Sequence, residues 1–245
     1  MIATIEVKDL IPSIKQEWDG GNAVLITGSK GIGKTSLIRN AARELKMGLV
    51  EFNLLSELKD SFMEGICRNI EQAKGAQGTI LFFDNLNKIK SESLKNLQKI
   101  VSEKAIKDFS LKSNIRIIAA GTSGIGFEER DFNITNALEE LEKYFSIFQV
   151  DGNSLLSSWL KWAKNAKLHP YVLDFIENFP EYLHYTADED NWAVPASWET
   201  ASKYIRYLQK NNTPIDFIID SVGYSHIGKP AFDSFKNYVL KIVRK

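Results

Sequence analysis

The sequence predicts an α/β protein: a three-layer αβα domain on a parallel sheet over residues 1–150, then a small all-helical domain over residues 151–245. Two observations predict this division. As far as Val150, near-continuous runs of Val, Ile, Leu and Phe alternate with amphipathic stretches, which is typical of parallel strands covered by helices on both faces. After the turn signal DGN at 151–153, the apolar spacing is helical only.

Five apolar runs are predicted to form the strands of the sheet, with helices between them. The strands, in chain order, are AVLIT (23–27), GLVEFNL (48–54), TILFFD (79–84), IRIIAAG (115–121) and FSIFQV (145–150). Apolar residues that recur every three or four positions predict helices at 33–45, 58–73, 91–104 and 135–141 in the first domain. The same spacing, with prolines at or near the segment ends, predicts second-domain helices at 154–166, 171–178, 197–210, 214–221 and 229–243.

The amino-acid composition limits the classes of function that this chain can have. The chain has 245 residues, with 31 basic side chains balanced by 31 acidic ones. This neutral balance gives no support to non-specific nucleic-acid or membrane binding, although a local charged patch stays open. Cys67 is the only cysteine, so an intrachain disulfide and a cysteine zinc site are excluded. Because there is no signal-peptide core and no apolar stretch of roughly 20 residues, we expect a cytoplasmic protein without membrane contacts.

The segment GSKGIGKT, residues 28–35, matches the pattern G-x-x-x-x-G-K-[ST] of a phosphate-binding loop. It follows one predicted strand and opens a predicted helix, which is the context that this pattern requires. Glycines allow backbone angles that side chains would obstruct, and amides at the positive end of a helix attract phosphate. We therefore expect Lys34 to contact the β- and γ-phosphates of a nucleotide, and the Thr35 hydroxyl to bind Mg²⁺.

Asp84 is the last residue of a second predicted strand, TILFFD. In proteins with such a loop, a carboxylate at this strand end orders a magnesium-bound water beside the phosphates. The alternative is an aspartate that only caps a helix or a turn. We expect the first role because the loop precedes it in the same predicted sheet.

Together with these two motifs, the chain resembles the AAA+ ATPases, and within them the MoxR branch common in bacterial and phage genomes. The resemblance rests on an ordered set of segments: ITGSKGIGKTSLIRNAAREL, TILFFDNLNKI, IRIIAAGTS, WLKWAKNAKLHPYVLDFIENFPEYL, VPASWETASKYI and GKPAFDSF. It implies a parallel sheet of strand order 5-1-4-3-2 followed by a helical lid. It also implies a ring, often hexameric, that holds ATP at its subunit boundaries and remodels proteins, often with a von Willebrand factor A-type partner.

The motifs and the resemblance together define the expected site. The nucleotide-binding residues are Gly28, Ser29, Lys30, Gly31, Ile32, Gly33, Lys34, Thr35 and Ser36. The expected catalytic positions are Asp84, Asn85 and Thr122, and the expected magnesium ligands are Thr35 and Asp84. The expected cofactors are ATP or ADP with Mg²⁺.

Several positions differ from the family pattern. The resemblance implies that in the family these positions make ATP hydrolysis fast or sense the bound γ-phosphate. Asn85 occupies the position of the family's catalytic glutamate. An amide can orient a water molecule but cannot accept its proton, so we expect slow hydrolysis unless a group such as Asn87 compensates. Thr122 stands at the sensor asparagine and keeps a hydrogen-bonding hydroxyl. Tyr144 stands at the arginine finger, and Ala196 at the sensor arginine of the lid.

The source of an arginine finger stays open. Such a group is worth ~10³–10⁵ in rate. Lys143 is adjacent to Tyr144, but its ammonium lacks the forked geometry of a guanidinium. Arg130 in the preceding loop, or an arginine from a partner subunit in a mixed ring, are the alternatives.

Three functions follow from these expectations. The first is an ATP-binding MoxR-like protein that hydrolyses ATP slowly, or with partner help, to remodel or assemble a protein complex. The second is a nucleotide-binding scaffold subunit that essentially does not hydrolyse ATP. The third is a DNA-directed ATPase, which the neutral charge and the resemblance of the second domain disfavour.

Overall fold

The structure is a computed structural model in which the chain forms two compact units. One unit comprises Met1–Ser29 and Lys34–Asp151, and the other comprises Lys30–Gly33 and Gly152–Lys245. The described residues are 3–54, 66–70, 72–73, 75–89, 91–106, 109–122, 143–186, 192–214, 217, 219 and 227–243. Arg130, the predicted helix at 135–141, and parts of those at 58–73 and 214–221 lie outside them.

Eight strands are present among the described residues of the first unit. In chain order they are β1 (Ala3–Ile5), β2 (Ala23–Thr27), β3 (Gly48–Asn53), β4 (Thr79–Asp84), β5 (Ala105–Ile106), β6 (Phe109–Ser110), β7 (Ile115–Ala120) and β8 (Phe145–Val150). Six of them form one sheet in the spatial order β1-β8-β2-β7-β4-β3, and all neighbouring pairs are parallel. The five predicted strands therefore follow the order 5-1-4-3-2, and the predicted parallel α/β fold is confirmed.

The first unit also contains elements that the sequence did not predict. Its described helices include α1 (Val7–Asp19), α2 (Lys34–Glu44) and α3 (Ser91–Glu103), and of these α1 was not predicted. It buries Leu10, Ile14 and Trp18, which are spaced four residues apart on one helix face. The edge strand β1 and the short antiparallel pair β5–β6 were not predicted either, because two or three residues are too few to show a period.

The core of the first unit covers both faces of the sheet. Along β4, Ile80, Leu81, Phe82 and Phe83 are all fully buried. Successive side chains of a strand point to opposite faces, so this run is covered from both sides, as expected for a parallel sheet. Phe83 stacks on Phe52 of β3, with ring centroids 5.4 Å apart.

The register of the sheet brings the carboxyl-terminal ends of its central strands to one edge. Asn53 pairs with Asp84, Phe83 pairs with Ala119, and Ile26 pairs with Ala120. The residues that follow β2, β4 and β7 therefore meet at this edge, which is where open α/β sheets bind their ligands.

The second unit is mainly helical, as predicted. Its helices are α4 (Leu156–Asn165), α5 (Pro170–Asn178), α6 (Pro195–Lys210) and α7 (Lys229–Val243), with 3₁₀ turns at Gly152–Leu155 and Pro180–Tyr182. The expectation that it is entirely helical needs one correction: β9 (Tyr185–Thr186) and β10 (Trp192–Ala193) form a short antiparallel pair. Backbone pairing over two residues leaves no periodic signal in the sequence.

An aromatic cluster forms the core of the second unit. Phe175 is fully buried, and five rings have centroids 5.1–5.7 Å from its own: Phe179, Tyr182, Trp198, Phe235 and Tyr238. Trp198 is also fully buried, and its indole N–H donates to the Tyr182 carbonyl at 2.7 Å. Among the described residues, no helix is long and apolar enough to span a bilayer.

Candidate functional site

The loop between β2 and α2 contains two glycines that no other residue replaces without strain. Gly31 has φ +81° and Gly33 has φ +90°, both in the left-handed region that favours glycine. At Gly31 a Cβ atom would also lie 2.5 Å from Cγ2 of Val194. At Gly33 the surrounding space is open, so only its backbone angle requires glycine. The loop therefore uses backbone angles that glycine allows, as expected from its sequence.

Within the second unit, the start of α6 contacts this loop through its backbone. The N–H group of Ala196 donates a hydrogen bond to the carbonyl of Gly31 at 3.2 Å. Ala196 occupies the position at which the resemblance places a sensor arginine. Its side chain cannot report on a phosphate, but its peptide group and the Val194 side chain both touch the loop.

Lys34, the first residue of α2, directs its ammonium group back into the loop. Its Nζ donates to the carbonyls of Gly28 at 2.8 Å and Ser29 at 2.9 Å. Burial lowers the pKa of Lys34 to about 8, although the nearby Asp84 carboxylate acts in the opposite direction. The loop thus holds a buried cation whose hydrogen bonds go to neutral carbonyls, and an anion at this point would stabilise its charged form.

Thr35 and Asp84 are brought together across the sheet edge. The Thr35 hydroxyl donates to Oδ2 of Asp84 at 2.7 Å, and the backbone N–H of Asn85 donates to Oδ1 at 2.8 Å. Hydroxyl and carboxylate oxygens are the ligand types that Mg²⁺ accepts, usually one or two from protein with the rest from phosphate and water. Forty-nine residues separate this pair in the chain, and the geometry fits the predicted metal position.

Asn85 has a conformation and a partner that suit an asparagine. Its backbone is left-handed, with φ 61° and ψ 42°, a region in which asparagine is several-fold enriched over most residues. Its Nδ2 donates to Oδ1 of Asn53, the last residue of β3, at 3.0 Å. Asn53 was not predicted as a site residue. The only signal for it in the sequence is its place near the end of the predicted strand 48–54.

Thr122 lies at the same edge, just beyond β7. Its backbone N–H donates to Oδ1 of Asn87 at 3.3 Å, and the N–H of Gly121 before it donates to the Ile26 carbonyl at 3.0 Å. The Asn87 side chain is therefore directed to the Thr122 backbone. Asn87 is the residue that the sequence offers as a substitute for the missing glutamate. Asn87 links the segments after β4 and β7.

The remaining predicted residues differ in placement. Ile32 is buried, whereas Lys30 and Ser36 are exposed around the loop. Lys143 and Tyr144 are exposed immediately before β8, at the amino-terminal edge of the sheet. That edge is opposite to the one with Asp84, so these two residues do not reach the loop of their own chain.

Residues 24–139 match the family model described as "ATPase family associated with various cellular activities (AAA)". No curated protein sequence matches the chain.

Among solved structures, the chain is similar to the Thermotoga maritima RuvB Holliday junction branch migration motor. The TM-score is 0.55 at 16% identity, over 88% of this chain and 67% of that one. A point mutant of the same RuvB gives a TM-score of 0.56 at 17% identity, over 96% and 69%. At these identities the likeness shows the fold alone. The family match and the strand order thus make residues 24–139 similar to an AAA ATPase domain in sequence and in fold.

Proposed function

We propose that this chain binds ATP or ADP with Mg²⁺ at the loop of residues 28–36 and hydrolyses ATP slowly, or only with help from a partner. The observation that carries the proposal is the hydrogen bond of 2.7 Å between Thr35 and Asp84, beside the buried ammonium of Lys34. A hydroxyl, a carboxylate and a cation meet there at the start of a helix, as a magnesium-bound triphosphate requires.

Each group has a role in this proposal. The amides of the loop and the Lys34 ammonium would bind the phosphate oxygens, and Thr35 with Asp84 would hold the metal ion. Bound Mg²⁺ would neutralise charge that develops on the transferred phosphoryl group. Gly31 and Gly33 have backbone angles that favour glycine, so neither position adds a side chain of its own beside the loop amides.

Slow hydrolysis is proposed because of the residue after Asp84. The Asn85 amide is held by Asn53 and contains no group able to accept a proton from water at neutral pH. Thr122 lies nearby with a hydroxyl that can orient a water but not deprotonate it. The described part of the site therefore supports phosphate binding more strongly than it supports general-base catalysis.

We further propose that the chain acts in an assembly. Lys143 and Tyr144 lie at the sheet edge opposite to the loop, so any help they give at a phosphate must go to another subunit. A ring of identical copies, hexameric in the resembled family, would place such residues at a neighbour's loop. A mixed ring would let a partner supply an arginine instead. The resemblance favours a MoxR-like role in remodelling or assembling protein complexes, with a von Willebrand factor A-type protein as one partner class.

Two alternative functions are tested by the same experiment. A scaffold that holds nucleotide without turnover fits Asn85 and Ala196, since neither side chain carries the charged group that the resemblance expects there. A DNA-directed ATPase is the third, because RuvB, whose fold is similar, is a Holliday junction branch migration motor. The low identity to RuvB does not decide between these functions.

The deciding experiment is steady-state phosphate release by the purified chain, alone and with single-stranded or branched DNA. We expect well below one turnover per second in both conditions, together with ADP binding detected by calorimetry. Several turnovers per second without a partner would contradict the proposal of slow hydrolysis. Strong stimulation by DNA would favour the third function, and failure to bind ATP or ADP at millimolar concentration would overturn all three.

A further inference from the structure

A cleft of about 260 Å³ opens at the amino-terminal edge of the sheet in the first unit. Its walls are the turn before β2, the end of α3, residues 111–117 leading into β7, and residues 143–144 before β8. The phosphate-binding loop follows the carboxyl end of β2, at the opposite edge. The cleft is therefore separate from the nucleotide site proposed above.

The side chains that line this cleft are strongly cationic. Four basic residues contribute to it: Lys104, Lys112, Arg116 and Lys143. No carboxylate is present among its described lining residues. In a chain with 31 basic and 31 acidic residues, this is a marked local departure from neutrality. Glu17 lies just outside the lining, where its Oε2 accepts hydrogen bonds from the Asn22 amide at 2.8 Å and from the Ser146 hydroxyl. This carboxylate offsets part of the positive charge, whereas exposed charges farther away than a Debye length of about 10 Å are largely screened.

Two of these cations are held in place without being neutralised. Lys104 Nζ donates to the carbonyl of Gly21 at 2.8 Å, and Arg116 Nη1 donates to the carbonyl of Trp18 at 3.0 Å. A carbonyl fixes the position of a cation but leaves its full charge. An ammonium has three donors and a guanidinium has five, so both groups keep donors for a ligand. The cleft is thus preorganised for an anion.

The aromatic ring beside the cations indicates which anion fits. Tyr144 is 40% exposed, and it lines the cleft next to Lys143. Grooves that bind single strands of nucleic acid combine cations along the backbone with aromatic rings on which bases stack. The forked guanidinium of Arg116 also matches phosphate geometry. An acidic peptide would satisfy the charges but would make no use of the exposed ring.

We propose that this cleft binds the phosphodiester backbone of a single-stranded nucleic acid, with one base stacked on Tyr144. This site is distinct from the proposed nucleotide site and does not depend on it. It needs Lys143 and Tyr144 to be accessible, so a subunit in which these residues face a neighbour's loop does not bind nucleic acid here. A neutral net charge argues against non-specific binding over the whole surface, and it places no limit on a local site of four cations.

The test is fluorescence anisotropy of a labelled thymidine 20-mer with the full chain, titrated at several salt concentrations. Four phosphate contacts predict a slope of log affinity against log salt of about −2.8 for the unaltered protein. The double variant Lys112→Ala/Lys143→Ala removes two of these contacts. It should bring the slope to about −1.4 and should weaken binding at least about tenfold at low salt. Both lysines are exposed, so their removal should leave the fold intact.

A matched control removes the same charge elsewhere in the same unit. Lys95 and Lys99 are exposed on α3 and do not line the cleft, so Lys95→Ala/Lys99→Ala should bind the 20-mer like the unaltered protein. At the aromatic position, Tyr144→Phe should keep the affinity, whereas Tyr144→Ala should lower it about fivefold through lost stacking.

Other results would overturn the proposal. One is no 20-mer binding, or equal weakening by the cleft and control variants. Another is a labelled glutamate-rich peptide that binds through Lys112 and Lys143 while the 20-mer does not, which would assign the cleft to an acidic protein segment. Lys34→Ala should retain 20-mer binding, so failure at this cleft is distinguishable from failure at the nucleotide site.

Discussion

The two halves of the candidate site differ in how well they suit their expected tasks. In the loop half, the largely buried Lys34 ammonium donates to the carbonyls of Gly28 and Ser29, and the Thr35 hydroxyl donates to Asp84. In the other half, an amide stands where a proton acceptor is expected and hydrogen-bonds another amide, on Asn53. Holding a phosphate chain needs donors and a metal, whereas breaking it quickly also needs a base and a trans-acting cation. A chain can keep the first set and lose the second.

The largest expected effect tests the loop half. In Lys34→Ala, affinity for ATP and ADP should fall about 100-fold, because a charge-assisted hydrogen bond is worth roughly 1.5–3 kcal/mol and this lysine would make more than one. Isothermal titration calorimetry measures it. Lys95→Ala removes an exposed lysine of α3, outside the loop, and should bind like the unaltered protein. Equal affinities for Lys34→Ala and the unaltered chain would show that the loop is not the binding site.

The next effect tests the turnover half. Asn85→Glu should raise the rate of ATP hydrolysis at least about tenfold, because it provides a carboxylate that can accept a proton from water. General-base groups of this type accelerate reactions ~10²–10⁴-fold in other enzymes. Phosphate release at saturating ATP measures it, with Asn85→Ala as the control that should give no gain. The left-handed backbone at this position suits glutamate less well, so the melting temperature should drop slightly. An unchanged rate would show that groups other than residue 85 limit turnover.

A smaller effect concerns the metal. If Thr35 binds Mg²⁺ through its hydroxyl, Thr35→Val should reduce the enhancement of ATP affinity by Mg²⁺ about fivefold, whereas Thr35→Ser should retain it. Calorimetric titrations with and without Mg²⁺ give this ratio. Valine also breaks the hydrogen bond to Asp84, so ADP binding without metal serves as the control for local structure. Loss of the enhancement in both variants would contradict a role for the hydroxyl.

The smallest effect is a pH dependence of binding without metal. The pKa of Lys34 is lowered to about 8 from an ordinary 10.5, so about half of these side chains have lost their proton at pH 8. Phosphate binding favours the charged form, and ADP must then bring a proton with it. ADP affinity in EDTA should therefore be constant between pH 6.5 and 7.5 and about fourfold weaker at pH 8.5. Lys34→Arg stays charged and should remove this dependence; a flat profile in the unaltered chain would contradict the lowered pKa.

Much of the fold was predictable because its signals are local. The strands that form the centre of the sheet are continuous apolar runs, and the loop of residues 28–36 identifies itself by glycine spacing between a strand and a helix. The edge strand β1 was not predictable in this way, because three residues carry no period. The β9–β10 pair was missed for the same reason.

The sequence by itself determined the parallel α/β class, the strand order implied by the family resemblance, and the residues with the chemistry to hold phosphate. Only the tertiary structure decided which distant residues meet: Asn53 with Asn85, Asn87 with Thr122, and the four cations of the cleft. The physical reason is that a glycine loop or an apolar run is specified by its own neighbours in the chain. A contact between strand ends depends on sheet register, which no short stretch of sequence contains.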